Sequence, residues 1–124
     1  MHDSKFCTSI SCMDGRIQLP IINWLQQKHG IRYVDTVTEP GVDKLFSNTA
    51  KMDEIKSKVA ISVDKHGSKL ILVSGHHDCA GNPVPKSEHI THIQNTMKII
   101  ESWNLPVKVI GAWVNENWEL ETIS

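Results

Sequence analysis

Residues 69–79 read KLILVSGHHDC, and this stretch decides the fold. Residues 69–74 form a short, continuous apolar run, the mark of a strand buried on both faces. Directly after it stand His76 and Cys79, three positions apart. Upstream, Ile55, Val59 and Val63 repeat every four residues, which predicts a helix over about 51–65 that closes at Gly67. Downstream, Ile90, Ile93, Met97 and Ile100 mark a helix within about 86–103. Residues 107–114 (VKVIGAWV) predict another strand, and NENW followed by ELETI predicts a short edge strand turning back on it.

The first third of the chain repeats the alternation. Residues 5–12 (KFCTSISC) predict a strand. Residues 19–29 (LPIINWLQQKH) predict a helix, with Pro20 near its first turn and Gly30 just past its end. Residues 31–37 (IRYVDTV) predict a second strand, and TEPG at 38–41 is turn material. Strand and helix in strict alternation predict an α/β fold with a parallel sheet flanked by helices. Periodicity alone does not give the strand order.

At 124 residues the chain has length for one domain, and without repeats or linker-like tracts residues 1–124 are expected to form it. The hydrophobic share of 40% and the charged share of 22% are those of an ordinary globular protein. A formal net charge of −1 with no long basic run gives no footprint for nucleic acid or an anionic membrane, so neither is expected as a partner. No apolar stretch approaches the roughly 20 residues of a membrane span, and the start lacks the apolar core of a signal peptide. A cytoplasmic location is expected. Three cysteines are poor disulfide material there and point toward metal or redox chemistry.

CMDGR at 12–16 and GHHDC at 75–79 each follow a predicted strand. In open parallel sheets ligands bind beyond the carboxyl ends of the strands, where neighbouring connections diverge. If the first and third strands are neighbours, Cys12 meets His76 and Cys79 there. Thiolate plus imidazole is a donor set that suits Zn2+. Asp14 is placed either to take the fourth position or to accept a hydrogen bond from zinc-bound water. Arg16 can hold Asp14 ionised through a paired contact, and Gly15 lets the backbone bend between them. Taken singly, a cysteine ending a strand is usually a small core residue and H-x-x-C recurs by chance. The pair of motifs favours the metal.

At Cys12-Met13-Asp14-Gly15-Arg16 and Gly75-His76-His77-Asp78-Cys79-Ala80-Gly81 the sequence resembles the β-class carbonic anhydrases, which carry C-x-D-x-R and H-x-x-C at these places. The resemblance extends through Pro20 and GAWV. It implies a four-stranded parallel sheet of order 2-1-3-4, with Cys12, His76 and Cys79 as zinc ligands and Asp14 and Arg16 as a catalytic dyad. The implied reaction is reversible hydration of carbon dioxide to bicarbonate by a zinc-bound hydroxide, in a homodimer or higher homo-oligomer. Thr38-Glu39-Pro40-Gly41 stands where the family usually carries Arg-Asn-Ala-Gly. The alternatives are a non-catalytic zinc-binding homologue, a lyase or hydrolase for another small electrophile, and a redox module with a Cys12–Cys79 disulfide.

Other residues are assigned bland roles. His77 is read as an exposed neighbour of a ligand, although it could shuttle protons. His89 and His92, three apart on a helix, are read as a solvated face. Cys7 lies an odd number of residues from Cys12, so it is expected to face the other way as a core thiol. Trp24, Trp103, Trp113 and Trp118 are read as packing or interface residues, and Lys65, His66 and Lys69 as a solvated helix end.

Overall fold

The computed structural model describes residues 5–123. In chain order it contains β1 (Phe6–Ser11), α1 (Gly15–His29), β2 (Tyr33–Thr38), a 3-10 segment (Val42–Ser47), α2 (Thr49–His66), β3 (Leu70–His76), α3 (Lys86–Ser102), β4 (Lys108–Val114) and β5 (Leu120–Ile123). The sheet order is β2-β1-β3-β4-β5, all parallel except the antiparallel β4–β5 pair. This is the order 2-1-3-4 with a short antiparallel edge strand.

Two apolar layers cover the sheet. Ile17, Ile21 and Leu25 of α1 pack on one face with Leu70, Leu72, Ala112 and Val114. Met52, Ile55, Val59 and Val63 of α2, with Ile93 and Ile100 of α3, pack on the other with Ile10, Ile71 and Val73. Every residue of β3 is buried, as its unbroken apolar run requires. Since α1 lies on one face and α3 on the other, the connections leaving β1 and β3 diverge. The groove between those two strand ends is the switch point of the sheet.

Helix ends follow the local chemistry. Gly30 and Gly67 close α1 and α2 in the left-handed conformation, at φ 64° and 71°. Helix α1 starts four residues before the expected start, because the Asp14 side chain accepts a hydrogen bond from the Arg16 amide and caps it. Pro20 consequently lies inside the helix and not in its first turn. The 3-10 segment was not expected: VDKLFS is too short to show a period, although Val42 and Asp43 are both buried. Cys7 is a fully buried core thiol, and burial, followed by the charge of Asp35, pushes its pKa up to about 12. Yet it shares the α1-side layer with Cys12. The parity argument failed because β1 ends at Ser11, and Cys12 lies where the chain has already turned toward α1.

Two surface assignments are corrected. His66 is half-buried, stacked on Phe6 at 4.2 Å between ring centroids, and its Nδ1 lies 2.7 Å from Asp35 Oδ2. Lys65 and Lys69 are exposed, as expected. His89 is buried at 1% exposure and His92 is half-buried, so the pair is not a solvated face. His89 falls on the buried stripe His89-Ile93-Thr96-Ile100, at helical spacing. No helix among the described residues is long and apolar enough to cross a membrane.

Candidate metal centre

At the switch point the ends of β1 and β3 bring Cys12, His76 and Cys79 together. All three are buried, and their Sγ and imidazole nitrogen atoms lie within 4.8 Å of one another. Cys12 is the first residue past β1, His76 is the last of β3, and Cys79 follows in the turn leading to α3. The two sulfurs are 4.0 Å apart, and all three cysteines are free thiols. Sulfurs each about 2.3 Å from a tetrahedral zinc would stand about 3.8 Å apart, so this spacing matches a shared cation far better than a disulfide.

The histidine is set up as a donor. Its Nδ1 lies 2.7 Å from the carbonyl oxygen of His77, which fixes the proton on that nitrogen. Its Nε2 is buried and has no hydrogen-bond partner. A buried orphan nitrogen is costly, and a cation beside two sulfurs relieves that cost. Burial pulls the His76 pKa below its usual value and keeps the ring neutral, as a ligand must be.

Backbone amides surround the sulfurs. Gly41 N–H donates to Cys12 Sγ at 3.4 Å. Amides of Asn82 and Gly81 face Cys79 Sγ and favour its thiolate form, but burial and the neighbouring Cys12 outweigh them and push its pKa up to about 11. The 38–41 turn therefore forms one wall of the centre. Gly41 has φ 57°, and a Cβ there would sit 2.5 Å from the carbonyl carbon of Gly81. Only glycine permits both the left-handed backbone and that close approach. Glu39 is paired with Lys51, its Oε1 lying 3.8 Å from Lys51 Nζ.

Asp14 Oδ2 stands 4.0 Å from His76 Nε2, beside the three-residue cluster. Arg16 grips Asp14 by a fork: Nε to Oδ1 at 3.0 Å and NH2 to Oδ2 at 2.7 Å. The hydrogen bonds from Arg16 hold the Asp14 carboxyl down at about 2, against the partial desolvation that would raise it. Arg16 is itself clamped. It donates from NH1 to Asp78 Oδ2 at 3.1 Å and from NH2 to the Asp78 carbonyl at 3.0 Å, and its guanidinium lies 4.7 Å from the centre of the Trp118 ring. Asp78 and Trp118 both have positive φ, 57° and 59°. Neither was expected at the site. For Asp78 the signal was available, since it sits inside the H-x-x-C motif.

His77 is exposed, as expected, and its ring stands 6.4 Å from Trp118. Trp113 is buried, with its Nε1 unpartnered. Trp24 and Trp118 line one surface hollow of about 320 Å³ between α1 and the β4–β5 connection. The remaining tryptophan, Trp103, sits at the end of α3, packed on the α2-side core, with Lys56 Nζ 5.7 Å above its ring.

A doubly wound sheet with a soft, buried three-donor cluster at its switch point defines the class. The family model described as "Putative carbonic anhydrase" matches residues 2–124, and the chain belongs to that family. No curated protein matches the sequence. Among solved structures, the carbonic anhydrase from Glaciozyma antarctica is similar, with a TM-score of 0.66 and 14% identity over 99% of this chain and 83% of that one. The β-carbonic anhydrase of the fungal pathogen Aspergillus fumigatus gives 0.60 and 10% over 99% and 76%. One of the tetrameric β-carbonic anhydrases from Sordaria macrospora gives 0.59 and 11% over 100% and 82%. These likenesses concern the fold.

Proposed function

We propose that this chain is a zinc-dependent carbonic anhydrase catalysing the reversible hydration of carbon dioxide to bicarbonate. Cys12, His76 and Cys79 would hold the ion. The observation that carries the reading is the orphan Nε2 of His76, buried beside two free sulfurs, with the Asp14 carboxylate 4.0 Å away. Zinc bound there supplies the Lewis acidity that makes water a nucleophile near neutral pH.

The chain's own residues do the rest. Both Asp14 oxygens are occupied by Arg16, which supports Asp14 as a hydrogen-bond acceptor at the reacting water and not as a resting fourth ligand. Its low pKa keeps it an acceptor throughout the physiological range. Arg16 orients that carboxylate, and Asp78 and Trp118 hold Arg16 in place from the opposite side. The buried cysteines and His76 keep bulk water off the donor atoms. A homodimer or higher homo-oligomer in the cytoplasm accords with this reading.

Stopped-flow carbon dioxide hydration by the zinc-loaded protein, compared with Asp14→Ala, tests it. Hydration by the wild type that falls sharply in the variant supports the assignment, and equal rates remove it. The TEPG wall favours one second reading, a lyase or hydrolase acting on another small electrophile. Thr38 and Glu39 stand where the family usually has arginine and asparagine, and Glu39 is engaged by Lys51.

A further inference from the structure

A buried polar network lies on the α3 side of the sheet, behind the candidate metal centre, and the reaction just proposed does not use it. Asp43 of the 3-10 segment is 1% exposed and is its hub. Its Oδ2 lies 2.5 Å from His89 Nδ1 on α3, and its Oδ1 accepts from Asn82 Nδ2 at 3.2 Å. Its carbonyl accepts from Thr96 Oγ1 at 3.0 Å. Asn82 Nδ2 also stands 3.0 Å from His92 Nδ1. A carboxyl group this deep in the protein is costly unless each oxygen is partnered, and here both are.

Each segment that carries a candidate ligand reaches this hub. The Cys79 turn ends at Asn82, whose amide donates to the Cys79 carbonyl at 3.3 Å and whose side chain bonds Asp43. The wall of Cys12 is Gly41, two residues before Asp43, with its N–H on Cys12 Sγ and its Cα against Gly81. His76 follows Gly75, where a Cβ would sit 2.7 Å from Asp43 Oδ2 and 3.1 Å from His89 Nδ1. The carboxylate thus occupies the space that any larger residue at 75 would need. The end of β3, the Cys79 turn that follows it and the remote 38–41 turn are all referenced to one side chain.

We propose that Asp43, acting through Asn82 and held by His89, is the positioning residue of the metal centre, setting the spacing of the two sulfurs and His76. The proposal rests on the metal-binding reading above. Groups that orient ligands from behind commonly change metal affinity 10–100-fold when removed.

Co2+ titration of the chelator-stripped full chain tests the proposal, read as affinity and as the visible absorption of the bound ion, with far-UV circular dichroism confirming the fold. Asn82→Ala, Asn82→Ser and Asp43→Ala are expected to weaken Co2+ binding at least tenfold and to alter its spectrum. The near-isosteric Asp43→Asn is expected to recover most of the loss. A general loss of stability would lower the unfolding midpoint without changing the spectrum of the bound ion. Any folded member of the first three that binds Co2+ with wild-type affinity and spectrum overturns the proposal, and the serine variant keeps the test open if the alanine variants do not fold. A wild-type chain that takes up no Co2+ instead overturns the metal reading itself.

Discussion

The Asp14 carboxylate stands 4.0 Å from His76 Nε2, the one buried imidazole nitrogen without a partner among the described residues, while Arg16 holds that carboxylate by a fork. A carboxylate so placed has two possible uses: to occupy a coordination position, or to accept a proton's hydrogen bond beside it. The Arg16 fork, with one donor on each oxygen, favours the second.

Asp14→Asn should therefore lower carbon dioxide hydration by about 10²-fold or more while leaving zinc content unchanged. Arg16→Lys should also lose activity, because an ammonium cannot reproduce the planar fork. Stopped-flow rates and zinc content measured on the same preparations check both. Loss of zinc in Asp14→Asn would make Asp14 a ligand instead.

The pH dependence has a definite sign. Arg16 holds Asp14 at about 2, so Asp14 stays ionised through the mildly acidic range, and any fall in hydration rate there has another origin. Removing the fork in Arg16→Ala lets the Asp14 pKa rise toward the ordinary carboxylate value of about 4. An acidic limb near that pH should then appear in the rate profile of the variant and be absent from that of the wild type.

Metal affinity should rise with pH. In the metal-free protein Cys79 keeps its proton until about pH 11, mainly because of burial, so binding must displace that proton. Each displaced proton makes log K climb by about one per pH unit between pH 6 and 9. His76 adds less to that slope, since burial lowers its pKa and favours the neutral ring. Competition titrations with a zinc chelator across this range check the slope, and a flat response contradicts thiolate ligation.

Gly75→Ala should destabilise the fold by about 1–3 kcal/mol, the usual range for overpacking. The added methyl meets Asp43 Oδ2, His89 Nδ1 and Ile93 Cδ1 at 2.7–3.1 Å. Urea unfolding measures the loss, and an unchanged midpoint would mean that the hub yields easily.

How much of this the sequence discloses depends on the kind of signal. The β3 run 69–74, the α2 stripe Ile55-Val59-Val63 and the caps Gly30 and Gly67 all obey strong local rules, and they mark elements that form. Motif spacing marks Cys12, His76 and Cys79 because each stands at a strand end, and only the strand order was needed to join them. Asp43 and His89 carry no such mark. A buried polar residue is stabilised by partners 46 positions away, and a helix pattern scored on apolar residues passes over a histidine that sits in the buried stripe. Asp14 as a helix cap was legible in principle. It was obscured by Pro20, which suggested a later start to α1.

Zinc bound per chain, in protein purified without chelator, tests the central claim most directly when measured on wild type and Cys79→Ser together. The account predicts one zinc per wild-type chain and a large loss in the variant. Wild-type protein without zinc, or the same zinc content in both, would contradict it.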